Sequence, residues 1–74
     1  MYEQIKTLLV NELNLNPDEI RPDAEISADL GLNSLELADL IVMCEDKFGI
    51  VFADEDLAKL VTVEDVAEYI EQHA

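Results

Sequence analysis

Cysteine and histidine each occur once in this sequence, glycine and proline twice each, and tryptophan not at all. With Cys44 alone, neither an internal disulfide nor a cysteine-based zinc site can form. His73, beside the C-terminus, has no second histidine to complete a metal pair, so no metal is expected. A stand-alone enzyme is disfavoured for the same reason, since one cysteine and one terminal histidine assemble no nucleophile–base pair. No apolar run approaches the ~20 residues of a membrane span. Met1-Tyr-Glu-Gln also lacks the basic start and apolar stretch of a signal peptide. The expectation is a soluble monomer with no membrane contact, cytoplasmic or in an organelle after processing.

Basic residues are scarce as well. Four stand against eighteen acids, a formal net charge of −14. Charge of that sign repels nucleic acid and speeds encounters with basic protein surfaces, at a cost in self-repulsion. A chain of 74 residues tolerates the cost poorly, because a core of this size rarely supplies more than about 3–5 kcal/mol. The acidity therefore points to partner recognition more than to solubility alone. Apolar residues, at 50%, are plentiful enough for one folded domain spanning residues 1–74.

Ile5, Leu8, Leu9 and Leu13 repeat at the spacing of one helix face. That first helix ends near Asn14, because Asn16-Pro17 resists its continuation. Residues 15 to 33 carry no sustained period. Asn16 and Pro17 suit the cap and first position of a single helical turn, which Pro22 keeps short. A connection this long is usually functional. Leu15, Ile20, Ile26, Leu30 and Leu32 recur through it, so it can be pinned across the core.

Asn33 and Glu36 form a capping-box-like start to the second helix. Leu37, Leu40, Ile41, Cys44 and Phe48 cluster on its inner face, and Gly49 is a natural stop. Asp54 to Leu60 reads as a short helix. Thr62 then caps a last helix, with Asp65 at its third position and Val63, Val66, Ala67 and Ile70 facing inward. Tyr2 and Tyr69 are placed to cover the open end, and His73 reads as tail. The expected fold is all-α: a small bundle of three main helices plus a short one, with a long ordered loop after the first.

Ser34 follows the cap of the strongest helix and comes soon after Gly31, which permits a sharp turn. The first amides of a helix are unpaired and its dipole favours an anion there, so a phosphate ester at Ser34 is electrostatically welcome. Leu35, Ala38 and Val42 make a second apolar stripe, about 140° around the helix from the inner one. A small bundle cannot bury both, so this stripe is expected to be exposed, bordered by Asp39, Glu45 and Asp46, with Glu36 further round. Such a strip suits partners with an apolar groove ringed by arginine or lysine. Cys44 falls in the inner stripe and reads as a small buried hydrophobe. Asp54-Glu55-Asp56 lacks the spacing of a calcium loop, which leaves loose divalent-cation binding, relieving repulsion, as the alternative there.

Asp29-Leu-Gly-Leu-Asn-Ser-Leu35, the acidic helix behind it and Phe48-Gly49-Ile50 at its close resemble an acyl carrier protein. The resemblance extends to the Asn16-Pro17 turn, the Asp54-Glu55-Asp56 stretch and Thr62-Val63-Glu64-Asp65-Val66. It implies that a phosphopantetheinyl transferase moves 4′-phosphopantetheine from coenzyme A to Ser34, whose arm then carries acyl thioesters between fatty acid synthesis enzymes. It implies a partner-binding face of Asn33, Leu35, Glu36, Ala38, Asp39, Val42, Glu45 and Asp46. It also implies an acyl-chain pocket involving Ile5, Leu9, Leu37, Leu40, Ile41, Cys44, Phe48 and Ile70. The family usually has aspartate immediately before the serine, where this chain has Asn33. The cap survives that change, but one negative charge beside the attachment site is lost. The alternatives are a dedicated carrier for polyketide, lipopeptide or aminoacyl transfer, and an unmodified acidic interaction module.

Overall fold

The computed structural model describes residues 1–73. It contains α1 (Tyr2–Leu13), a 3-10 turn (Pro17–Glu19), α2 (Ser34–Phe48), α3 (Asp54–Leu57) and α4 (Val63–His73). Helix α1 lies between the other two long helices and packs on both α4 and α2. Its apolar face delivers Ile5, Leu8 and Leu9 to the interior, against Leu40, Ile41 and Cys44 of α2 and Val63, Val66, Ala67 and Ile70 of α4. Among the described residues, no polar or charged side chain is buried.

The ends of the helices are set by local chemistry. Asn14, in the left-handed region at φ 56°, closes α1, and the Leu15 amide donates back to the Leu9 carbonyl at 3.2 Å. The Asn16 side chain accepts from the Asp18 amide at 3.0 Å and caps the 3-10 turn. Thr62 and Asp65 cap α4 reciprocally: the Asp65 amide donates to Thr62 Oγ1 at 3.1 Å, and Asp65 Oδ2 accepts from the Thr62 amide at 3.0 Å. Gly49 stops α2 at φ 68°.

The long connection is anchored at both faces. Ile20, Ala24, Ile26, Leu30 and Leu32 are buried and extend the core beyond the helices. The other anchor is backbone pairing that no local pattern announces. Ile26 donates to the Val61 carbonyl at 2.9 Å, and an isolated antiparallel bridge joins Glu25 to Thr62. The Val63 and Glu64 amides, which open α4, donate to the Ala24 and Pro22 carbonyls at 3.1 and 2.9 Å. The loop thus satisfies orphan donors that a helix N-terminus otherwise leaves to water.

Two details depart from the sequence reading. Helix α3 stops at Leu57, short of the expected Leu60, because Lys59 and Leu60 donate to the Asp56 and Leu57 carbonyls three residues back. Such bonds tighten the chain into a 3-10 turn. His73 is the last residue of α4, not a loose tail. Its ring stacks on Tyr69 with centroids 4.0 Å apart, and Tyr69 stacks on Phe52 at 4.7 Å. The Tyr69 hydroxyl accepts from the Ala53 amide and donates to Asp56 Oδ2, both at 3.1 Å, fastening α3 to α4. The Tyr2 hydroxyl donates to the Ile20 carbonyl at 3.0 Å, tying α1 to the long connection.

Candidate functional site

The approach to α2 is built to present one hydroxyl. Buried Leu30 and Leu32 anchor the chain on either side of Gly31, whose φ of 71° takes it through the left-handed turn that glycine adopts without strain. Asn33 then caps the helix. Its Oδ1 accepts from the Glu36 amide at 2.8 Å, and Glu36 Oε1 accepts from the Asn33 amide at 3.1 Å. This capping box leaves Ser34 as the first helical residue, with its side chain exposed. The helix dipole is most positive there, so an ester phosphate on Ser34 finds a favourable field. Among the described residues no base is hydrogen-bonded to the Ser34 hydroxyl.

Ser34 stands at the edge of an apolar groove of about 320 Å³. Leu37, Ala38, Ile41 and Val42 of α2 form one wall, and Leu57 and Leu60 form the other. Of the residues expected to shelter an acyl chain, the groove includes Leu37 and Ile41. Ile5, Leu9, Leu40, Cys44 and Ile70 lie instead in the closed core, at 0% exposure, and Phe48 is half-buried against that core. Leu57 and Leu60 were not singled out from sequence. Their i, i+3 spacing was the available signal, but the length of α3 concealed which way they faced.

The outer stripe is exposed as its spacing implies: Leu35 is 78% and Val42 54% accessible, and Ala38 is also exposed. Asn33, Asp39 and Asp46 are exposed too. Two of the acids differ from that pattern. Glu36 is half-buried and held in the capping box, while Glu45 is half-buried with its Oε2 accepting from the Phe52 amide at 2.8 Å. Val42 and Ala38 serve both surfaces, lining the groove and belonging to the outer stripe.

Cys44 has no access to solvent, and burial pushes its thiol up to about 11 from 9.0; nearby Lys47 opposes that rise and Glu45 adds to it. The thiolate is the nucleophile, so this sulfur is inert at neutral pH. Among the described residues no cluster of three or more histidine, cysteine or acidic side chains is arranged to hold a metal ion. No described helix is long and apolar enough to cross a membrane.

Comparison with known proteins agrees with this geometry. A family described as "Phosphopantetheine attachment site" matches residues 3–70. The chain is 39% identical over 71 residues to the acyl carrier protein of Wolinella succinogenes, covering 96% of this chain and 93% of that one. It is 38% identical over 73 residues to the acyl carrier protein of Helicobacter pylori strain G27, covering 99% and 94%. With that of Bdellovibrio bacteriovorus the identity is 36% over 72 residues, covering 97% and 92%.

Proposed function

The chain belongs to the phosphopantetheine attachment family, and on that premise we propose that it is an acyl carrier whose prosthetic group is esterified to Ser34. The observation that carries this reading is the position of Ser34, exposed at the first turn of α2 and at the edge of an apolar groove. A phosphopantetheinyl transferase deprotonates the hydroxyl. Ser34 Oγ then forms a bond to the phosphorus of the pantetheine phosphate, the pyrophosphate link of coenzyme A breaks, and adenosine bisphosphate leaves. The group supplies a thiol for thioester chemistry. The chain itself presents and shelters, and catalyses nothing.

Each part of the surface has a task in this reading. Leu35, Ala38 and Val42, flanked by Asp39 and Asp46, meet enzymes with an apolar groove edged by basic residues. Asn33 and Glu36 shape the entry to Ser34. Glu45 contributes its charge to that face while holding the loop after α2. The acyl chain, with Leu37 and Ile41 nearest, enters the groove beneath Leu57 and Leu60. Ile5, Leu9, Leu40, Cys44 and Ile70 in the closed core, and half-buried Phe48 against it, line the pocket only if the core parts as the chain lengthens. Fatty acid synthesis in the cytoplasm, by a monomeric carrier, is favoured over a specialised pathway. The support is similarity over 96–99% of this chain and 92–94% of relatives named acyl carrier protein.

Intact mass after incubation with coenzyme A and a transferase tests the site. Wild type gains one phosphopantetheine and Ser34→Ala gains none. Gain of the adduct by Ser34→Ala overturns the assignment. The acyl mass on the arm of protein recovered from its source identifies the pathway.

A further inference from the structure

Apart from Ser34 at its edge, the groove is lined by hydrocarbon, and the α2 residues that line it end at Val42. Positions three and four apart on a helix are neighbours on one face. Ser34, Ala38, Ile41 and then Glu45 therefore form a single row along α2. Glu45 follows both of the last lining residues, four beyond Ile41 and three beyond Val42. At 1.5 Å per residue it stands about 16 Å from Ser34 along the helix axis.

Glu45 is not a freely solvated acid. It is half-buried, and its Oε2 accepts from the Phe52 amide at 2.8 Å. That bond joins α2 to the segment leading into α3, whose Leu57 belongs to the facing wall. At this end of the row, hydrocarbon gives way to a fixed carboxylate. A methylene gains by leaving water for an apolar surface. Pressed against a carboxylate it strips water from the charge instead, and the cost exceeds the gain.

We propose that Glu45 is a chain-length determinant of the groove, a polar end stop for an acyl chain lying along the Ala38–Ile41 row. Shelter grows with each carbon up to this point, and methylenes beyond it stay in water while the core remains closed. The inference rests on the reading that the acyl chain is sheltered in this groove. Glu45 meets the far end of the cargo and takes no part in the thioester chemistry.

The test loads wild type, Glu45→Gln and Glu45→Leu from acyl-coenzyme A with even-numbered saturated chains, butanoyl to hexadecanoyl. Thioester cleavage by hydroxylamine is then timed. While shelter is growing, each added methylene slows cleavage by roughly fourfold, the equivalent of its transfer from water. On wild type the trend levels off. Glutamine keeps an acceptor for the Phe52 amide without the charge, and leucine offers hydrocarbon alone. The expected result is equal cleavage of the butanoyl form on all three proteins. The levelling point moves to longer chains in the order wild type, Glu45→Gln, Glu45→Leu. The longest chains are cleaved at least about fivefold more slowly on Glu45→Leu than on wild type, a little more than one further methylene sheltered. Thermal midpoints show whether the leucine variant is folded; if it is not, glutamine against wild type decides. The same levelling length in every folded variant overturns the proposal, as does a leucine variant that loses protection at all lengths. Cleavage on wild type that is indifferent to length shows that no chain is sheltered, and then the groove reading itself fails and takes the proposal with it.

Discussion

The Glu45 carboxylate accepts a hydrogen bond from the Phe52 amide at 2.8 Å, tying the last turn of α2 to the chain that leads into α3. A half-buried acid of the helix therefore fastens the segment that follows it. Replacing Glu45 with lysine is expected to lower stability by about 1–3 kcal/mol, the range for a lost bond to a charged acceptor. For a domain this small each kcal/mol shifts the melting temperature by about 4–8 °C. Asp39→Lys and Asp46→Lys, both exposed, leave the melting curve within a few degrees. Thermal circular dichroism distinguishes the two cases.

Docking is expected to follow the exposed acids. Affinity for a synthesis enzyme falls as salt rises, since exposed charges are screened within about 10 Å at 0.1 M. Asp39→Lys weakens binding at low salt and has little effect at high salt. Calorimetric titration at two ionic strengths reads both, and binding indifferent to salt removes the electrostatic part of the account.

The prosthetic thiol is expected to be the only sulfhydryl that reacts in the native protein. Cys44 is inaccessible and stays protonated well past neutrality. A chromogenic disulfide reagent at pH 8 therefore counts none in the unmodified form and one in the loaded form, rising by one in denaturant. Linkage runs in one direction. The thiol is neutral when protonated, and its folded value of about 11 lies above the unfolded 9.0. The folded form therefore holds the proton longer. Stability from this group is complete below pH 9 and is lost as pH climbs through 11, on the order of 2–3 kcal/mol. Cys44→Ala removes that component from the difference between the two stability–pH curves.

Filling the groove is expected to uncover the cargo. Ala38→Phe narrows the space bounded by Leu57 and Leu60 and leaves the closed core alone. Sheltering even two methylenes is worth about 1.6 kcal/mol, roughly tenfold in population. An octanoyl thioester on the variant should be cleaved by hydroxylamine several-fold faster than on wild type, with an acetyl thioester unchanged. Equal rates for the octanoyl form place the chain elsewhere.

Tyr69→Phe is expected to loosen α3 without unfolding α4. The hydroxyl bonds both the Ala53 amide and Asp56, whereas the stacking on Phe52 and His73 needs only the ring. A loss of about 1–2 kcal/mol is anticipated, with faster amide exchange confined to residues near 53–60.

What could be read from the sequence was what neighbouring residues decide among themselves. The Asn33–Glu36 and Thr62–Asp65 caps, the Gly49 stop and the inner stripe of α2 all rest on offsets of three or four residues. The pairing of Ile26 with Val61, and of Pro22 and Ala24 with the start of α4, joins segments some forty residues apart along the chain. Backbone groups are the same in every residue, so composition carries no trace of such a choice. Glu45 escaped for a related reason: its helical position was clear, but its partner is a main-chain amide beyond the helix end. The groove was half legible, since Leu37 and Ile41 belong to a visible stripe. Leu57 and Leu60 depend on how tightly α3 winds.

The interior contains no buried polar side chain among the described residues. Hydrocarbon contacts have no preferred direction, and each is individually weak, so sliding one leucine past another breaks no bond that must be re-formed in register. To a saturated chain entering as proposed, such an interior would be a solvent of its own kind. Admission would exchange one alkyl neighbour for another, and departure would reverse the exchange, leaving no memory in the fold of which cargo was last aboard.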